Sequence, residues 1–228
     1  MGKTRSVNVI ARLFNDFPEK FGIPRQSGLA SLPARVVFEP EYRDPAALRG
    51  IEGFEYLWLI WQFSALRNGG WQPTVRPPRL GGNRRMGVFA TRSPYRPNPI
   101  GLSSVRLIRA ETKTPEGPVL WVEGADLMNG TPIYDIKPYP PYTDSHPGVR
   151  AGFTDAEEWK KLTVFFPPAL LEMIPAELRR GLQEILALDP RPAYQNDPDR
   201  VYAFDFAGFT VRFSVKDSIL SVTDVQRR

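Results

Sequence analysis

The chain has 228 residues, no cysteine and a single histidine, His146. The first absence excludes disulfides, thiolate metal sites and a cysteine nucleophile. The second excludes a histidine-rich metal centre. His146 stands in Asp144-Ser145-His146-Pro147-Gly148, whose composition reads as a turn. No apolar run approaches the length of a membrane span; the longest, YLWLIW at 56–61, is stopped by Gln62. The opening MGKTRSVNVIARLF lacks a long apolar core followed by a small-residue cleavage site, so no secretory signal is expected. No G-x-G-x-x-G follows a strand-like run. LGGN at 80–83 is too short for a phosphate loop and lacks its Lys-Ser/Thr ending. These absences point to a cytosolic protein without metal or membrane, and without a Rossmann sheet.

Charge is present but uneven. The net formal charge is +5 and the isoelectric point about 9.5. Residues 72–110 hold eight arginines (76, 79, 84, 85, 92, 96, 106 and 109) and no Asp, Glu or Lys. This segment alone exceeds the charge of the whole chain. Such a field attracts phosphates, and guanidinium forks suit phosphates and aromatic bases better than ammonium groups do. Within it, TRSPYRPNPIG at 91–101 sets Arg92, Arg96 and Asn98 between Pro94, Pro97 and Pro99. A loop so stiffened loses little entropy on binding.

Short β-prone runs at 7–13, 35–39, 55–63, 86–91, 102–110 and 119–123 are separated by Gly, Pro or Asn. Even spacing with few helical stretches predicts a mostly β protein built on a closed or nearly closed barrel. The texture changes after about residue 150. One more strand is expected within 161–166, and an amphipathic helix through Leu178, Leu182, Ile185, Leu186 and Leu188, ended by Asp189-Pro190. A hairpin pairing 202–206 with 209–215 across Ala207-Gly208 follows. The expected organisation is therefore a barrel over 1–150 and a small α+β domain over 151–228.

Three Pro-stiffened segments carry polar groups dense enough for chemistry: EKFGIPRQ at 19–26, the arginine loop, and DLMNGTPIYDIKPYPPY at 126–142. In the last, Asp135 and Lys137 fall two apart and would share one side of a strand. Each is equally readable as surface turn, ion pair or packed tyrosine.

Taken together the segments are specific. KFGIPRQ (20–26), LRGIEGFEYLWLI (48–60), VRPPRLGGNRRMGVFATRSPYRPNPIGLS (75–103), DLMNGTPIYDIKPYPPYTDS (126–145), LALDPRPAYQ (186–195) and the hairpin FDFAGFTVRFSV resemble the TsaA-like (TrmO) family of tRNA adenine-N6-methyltransferases, over nearly the full chain. The resemblance implies a non-Rossmann β-barrel methyltransferase domain with a small C-terminal domain, a homodimer, S-adenosylmethionine as methyl donor, and a substrate adenosine beside the tRNA anticodon that already carries threonylcarbamoyl on N6. It further implies a donor pocket of Pro24, Arg25, Gln26, Arg92, Leu102, Asp126, Leu127, Met128 and Asn129. Where the family often carries His-Gln, this chain has Ser64-Ala65. That change removes a hydrogen-bonding ring and leaves Ser64 and Ala65 to contact the donor through their backbone.

Adenine N6 is a poor nucleophile, so an acceptor for its N–H helps. Asp135, held by Lys137, is the candidate. Tyr142 of Tyr139-Pro140-Pro141-Tyr142 is the candidate for stacking on the base, by analogy with the Asn/Asp-Pro-Pro-Tyr/Phe motif of unrelated adenine methyltransferases. Arg84, Arg85, Arg96 and Arg191 are the candidate tRNA contacts, with Arg96 and Arg191 for the threonylcarbamoyl carboxylate. Two other readings fit the same arginines: a non-catalytic RNA-binding barrel, and a methyltransferase for another RNA or a small molecule.

Overall fold

A computed structural model describes residues 5–66, 70–80, 84–155, 161–191 and 197–228. Residues 81–83 of LGGN and 192–195 of the tail motif lie outside the described residues, as does the Arg79 side chain.

In chain order the strands are β1 (Ala11–Phe14), β2 (Pro33–Phe38), β3 (Tyr56–Gln62), β4 (Thr74–Val75), β5 (Met86–Gly87), β6 (Ile100–Glu111), β7 (Val119–Glu123), β8 (Thr131–Pro138), β9 (Thr163–Phe165), β10 (Tyr202–Phe206), β11 (Phe209–Lys216) and β12 (Ile219–Arg227). The α-helices are α1 (Pro141–Asp144), α2 (Pro168–Leu171) and α3 (Ala176–Ala187).

Six strands close a barrel in the order β1-β2-β7-β6-β3-β8. Every pair is antiparallel, and the β1–β8 ladder, with Ala11 opposite Ile133, completes the ring. Closure removes the free edges that a sheet of this size would otherwise expose. Alternation sets the interior. In β6, Gly101, Ser103, Val105 and Leu107 face inward, and Leu57, Leu59 and Trp61 of β3 meet them. A buried aliphatic side chain of this kind contributes about 1.5–3 kcal/mol.

A second core lies under the sheet β10-β11-β12-β9. One face of α3, carrying Leu178, Leu182, Ile185 and Leu186, seals it. This core also takes Phe17, Ala30 and Leu32 from the early chain. Phe17 meets Phe206 with ring centroids 5.8 Å apart. The side chain of Glu184 accepts the Ser31 N–H at 2.6 Å, so the connection between β1 and β2 is pinned to α3 rather than to the barrel alone.

The fold is mostly β with a closed six-stranded barrel and few helices, as expected. Three local differences have physical causes. Residues 86–91 form only the two-residue β5 before a 3₁₀ turn at Val88–Ala90, which Thr91 closes by donating its hydroxyl to the Val88 carbonyl. Residues 131–138, which read as a proline-stiffened turn region, form strand β8. Its prolines, Pro132 and Pro138, are accommodated opposite Arg12 and at the strand end. Strand β12 follows a turn in which Asp217 and Ser218 both take positive φ, 50° and 64°, a geometry that joins adjacent strands tightly.

Candidate functional site

The end of the barrel where β3 finishes and β6 and β8 begin opens into a cavity of about 1500 Å³. Its floor is Trp61, Gln62, Gly101, Leu102, Asp126, Met128 and Thr131; one wall is Pro24, Arg25 and Gln26; another is the arginine loop. Ala151, Phe153 and Thr154 add a rim from beyond the barrel.

The first wall is positioned by a turn at Gly22, whose φ is +92°, where a Cβ would meet the Phe204 ring at 2.5 Å. Glycine is required there on both counts. Arg25 then donates to the carbonyl of Arg191 at 3.0 Å. Burial pulls the Arg25 pKa down from its usual value, and the Asp189 charge opposes that pull. Gln26 turns its side-chain carbonyl to Arg92, which donates to it at 2.7 Å. The two motifs, 66 residues apart in sequence, thus share one side of the cavity.

The arginine loop is braced from within. Arg96 donates to the Thr91 carbonyl at 2.7 Å and lies over the Phe89 ring, 5.8 Å from its centroid. Asn98 bends the chain so that the Ile100 N–H reaches its carbonyl at 2.7 Å. The prolines and the Arg96 brace together preset the loop that presents Arg92.

Among the described residues lining the cavity, Asp126 is the one acid, against Lys20, Arg25, Arg76, Arg85, Arg92 and Arg96. Ser103 donates its hydroxyl to the Asp126 carboxylate at 2.5 Å, and Trp61 Nε1 donates to that hydroxyl at 3.0 Å. Protein surrounds the carboxyl on all sides but the cavity. Burial pushes its pKa up; the Ser103 hydroxyl, the amides of Asp126 and Ser27, and the Arg92 charge pull the other way.

The expected donor pocket largely converges. Pro24, Arg25, Gln26, Ser64, Ala65, Arg92, Leu102, Asp126 and Met128 all line this cavity. Leu127 is instead buried in the barrel core, with its carbonyl taken by Asn15 at 2.7 Å. Asn129 accepts the Asn15 N–H at 3.0 Å. Both residues fix the strand connection rather than line the cavity.

Other candidates lie elsewhere. Asp135 and Lys137 form their ion pair at 2.8 Å, on the side of β8 opposite the core-packed Ile136 and away from the cavity. Tyr142, in α1, is 91% exposed. Arg85 lines the cavity and donates to Thr74 Oγ1 at 2.9 Å; Arg84 is exposed outside it. Arg191 lines a smaller adjoining cavity of about 520 Å³, its side chain nearly buried and paired with Asp189 at 2.8 Å. Sequence reasoning missed Trp61 and Ser103. The period-2 register of β6 was the available signal, since it turns Ser103 inward among apolar residues.

A closed antiparallel barrel with a strongly cationic cavity at one end defines a site class distinct from the nucleotide-binding crevice of doubly wound sheets. Residues 13–145 match the tRNA-methyltransferase O N-terminal domain family, and residues 161–228 match the TrmO C-terminal domain family. The chain belongs to the tRNA-methyltransferase O family. It is 40% identical to a tRNA (adenine(37)-N6)-methyltransferase of Escherichia coli, with 93% of this chain and 94% of that protein covered. It is 43% identical to one of Eikenella corrodens, with 75% and 97% covered. A solved TrmO structure from Pseudomonas aeruginosa superposes with a TM-score of 0.76 at 30% identity, covering 98% of this chain and all of that one.

Among the described residues no group of His, Asp or Glu is arranged to hold a metal ion, and no helix is long and apolar enough to cross a membrane.

Proposed function

We propose that the protein is a tRNA methyltransferase that transfers a methyl group from S-adenosylmethionine to N6 of the adenosine beside the anticodon, on a nucleotide already bearing threonylcarbamoyl. The observation that carries this reading is the convergence of the three separated motifs on one cavity, in a chain that matches the family along both parts.

The residues present fit the donor. Bound S-adenosylmethionine supplies an electrophilic methyl on a positively charged sulfur. Arg92, with Arg25 behind it, offers a guanidinium to the donor carboxylate. Asp126, the one acid among the described lining residues, offers a negative charge to the donor's cationic groups. Leu102, Met128 and Phe63 supply apolar wall. The protein's main contribution is orientation, and well-oriented partners recover roughly 7–11 kcal/mol of barrier. Transfer would form the N6–carbon bond as the carbon–sulfur bond breaks, leaving the neutral thioether S-adenosylhomocysteine, and the one N6 proton would pass to water.

Lys20, Arg76 and Arg85 along the cavity, with the exposed Arg84 next to Arg85 in the chain, suit a phosphate-rich partner, and Arg191 in the adjoining cavity suits the threonylcarbamoyl carboxylate. Asp135 and Tyr142 stand outside this chain's cavity, so any part they play on the base is played at the cavity of a second copy. A homodimer supplies that copy. The same reading divides the chain into a donor-binding barrel over 1–150 and an α+β domain over 151–228, and places the enzyme with its tRNA in the cytoplasm.

Tritiated methyl groups from the donor should enter tRNA that carries threonylcarbamoyl and fail to enter the same tRNA without it. Equal labelling of both, or of neither, overturns the substrate assignment. Sedimentation at micromolar concentration should give a dimer; a monomer removes the shared role of Asp135 and Tyr142.

A further inference from the structure

We infer that Ser103, fixed by Trp61, is a positioning residue that holds Asp126 as the fixed anionic partner of the cationic methyl donor. The inference rests on S-adenosylmethionine as the donor and goes beyond it by assigning a device beneath the cavity floor.

The geometry is a chain of three groups. Trp61 Nε1 donates to Ser103 Oγ at 3.0 Å, which leaves the hydroxyl proton free to point one way, to Asp126 at 2.5 Å. Ser103 is 1% exposed and is one of two polar residues among the fully buried ones described. A hydroxyl is costly to bury in a barrel core without a partner, and alanine would fill the same inward position between Gly101 and Val105. The indole is itself locked. It lies against Phe63 with centroids 4.3 Å apart, and the missing side chain of Gly101 makes room for it. So the barrel interior fixes the indole, the indole fixes the hydroxyl, and the hydroxyl fixes the carboxylate.

The charge pattern gives this purpose. Among the described residues lining the cavity, Lys20 and five arginines suit anions, and Asp126 alone suits a cation. A donor with a sulfonium and an ammonium needs a carboxylate that stays ionised although it opens to the cavity alone. The charged group acting on Asp126 is Arg92, from the arginine loop; its other partners are the Ser103 hydroxyl and the amides of Ser27 and Asp126. Burial raises the carboxyl pKa and the hydroxyl lowers it. Losing the hydroxyl therefore displaces ionisation to higher pH.

The test is calorimetric titration of the full-length protein, Ser103→Ala and Trp61→Phe with S-adenosylmethionine between pH 5.5 and 8.5, with melting temperatures measured alongside. Hydrogen bonds to charged groups are the strong ones. Ser103→Ala should bind about tenfold more weakly at the acid end of this range, a change of about 1.4 kcal/mol. The gap should narrow as pH rises, because both carboxylates are then ionised. Trp61→Phe, which keeps a ring and loses only the N–H donor, should shift the same way by less. Affinity unchanged in Ser103→Ala, or a loss equal at every pH, overturns the inference, since a purely structural serine acts without regard to pH. If the unaltered protein does not bind the donor, the donor assignment fails and takes this inference with it; binding by the unaltered protein with an unaffected variant removes this inference alone.

Discussion

Alanine at position 101 should destabilise the protein, although the usual expectation for a strand glycine is the reverse. Gly101 does not take positive φ, so the backbone accepts alanine. Replacing glycine within a strand ordinarily gains about 0.5–1 kcal/mol through the unfolded chain. Here the new Cβ would lie 2.3 Å from Trp61 Cε2, 2.4 Å from Cζ2 and 2.7 Å from Cδ2. The obstacle is the body of a rigid ring, so no flexible tip can swing aside. The indole is pinned by Phe63 and by its bond to Ser103. Relieving the contact requires moving the ring by about an ångström. Overpacking of this kind costs typically 1–3 kcal/mol, and a lost Trp61–Ser103 hydrogen bond adds about 1 kcal/mol. The clash outweighs the entropic gain, and Gly101→Ala should lose about 1–3 kcal/mol in urea unfolding. In a Trp61→Ala background the same substitution should be neutral or mildly stabilising, which makes the pair strongly non-additive. A Gly101→Ala protein as stable as its parent, or an equal loss in both backgrounds, would refute the reasoning.

Arg92→Ala should weaken donor binding at least tenfold while leaving the melting temperature within about 2 °C, because the side chain bonds Gln26 at the cavity wall and takes no part in either core; a large fall in melting temperature with intact binding would make Arg92 structural. Arg84→Ala and Arg85→Ala should each weaken tRNA binding and make its salt dependence shallower by about one counterion per arginine, as read from affinities between 50 and 300 mM salt. Glu184→Gln should cost about 1 kcal/mol at neutral pH through the Ser31 contact. Despite burial, which raises it, the Glu184 pKa ends below its usual value through the Ser31 amide and Arg180. The stabilisation is therefore present above the unfolded pKa and lost as pH falls through the lower folded one. The penalty of Glu184→Gln should accordingly shrink in acid, and a penalty independent of pH would break the assignment.

The strands that were legible in sequence are those whose own pattern suffices. β7 carries branched residues over 119–123, and β6 alternates cleanly. The hairpin β10–β11 announces itself by Ala207-Gly208. β8 was not legible, because its prolines argue for a turn until β1 and β3 flank it and the barrel closes. Nor was β5, where a strand-like run is overridden by the turn that Thr91 closes. The cavity was legible only as three motifs; their meeting depends on Gly22, Arg96 and the barrel end, none of which has a spacing signature. Leu127 and Asn129 show the limit of reading a motif as a block, since neighbours along the chain point alternately to cavity and core. Asp135 and Lys137 paired as their spacing required, yet spacing could not say which side of the barrel they would occupy.

The contact of Phe17 with Phe206 has a consequence for synthesis. The early chain leaves the ribosome about 190 residues before the ring that covers it, a wait of roughly 10–40 seconds at about 5–20 residues per second. Throughout that interval Phe17, Ala30 and Leu32 lack the core that buries them, and the turn at Gly22 lacks the Phe204 ring against which it packs. The barrel can close once β8 has emerged, but the wall holding Pro24, Arg25 and Gln26 cannot set until β10 arrives. The cavity therefore lacks this wall, and the groups it carries, until β10 has been made.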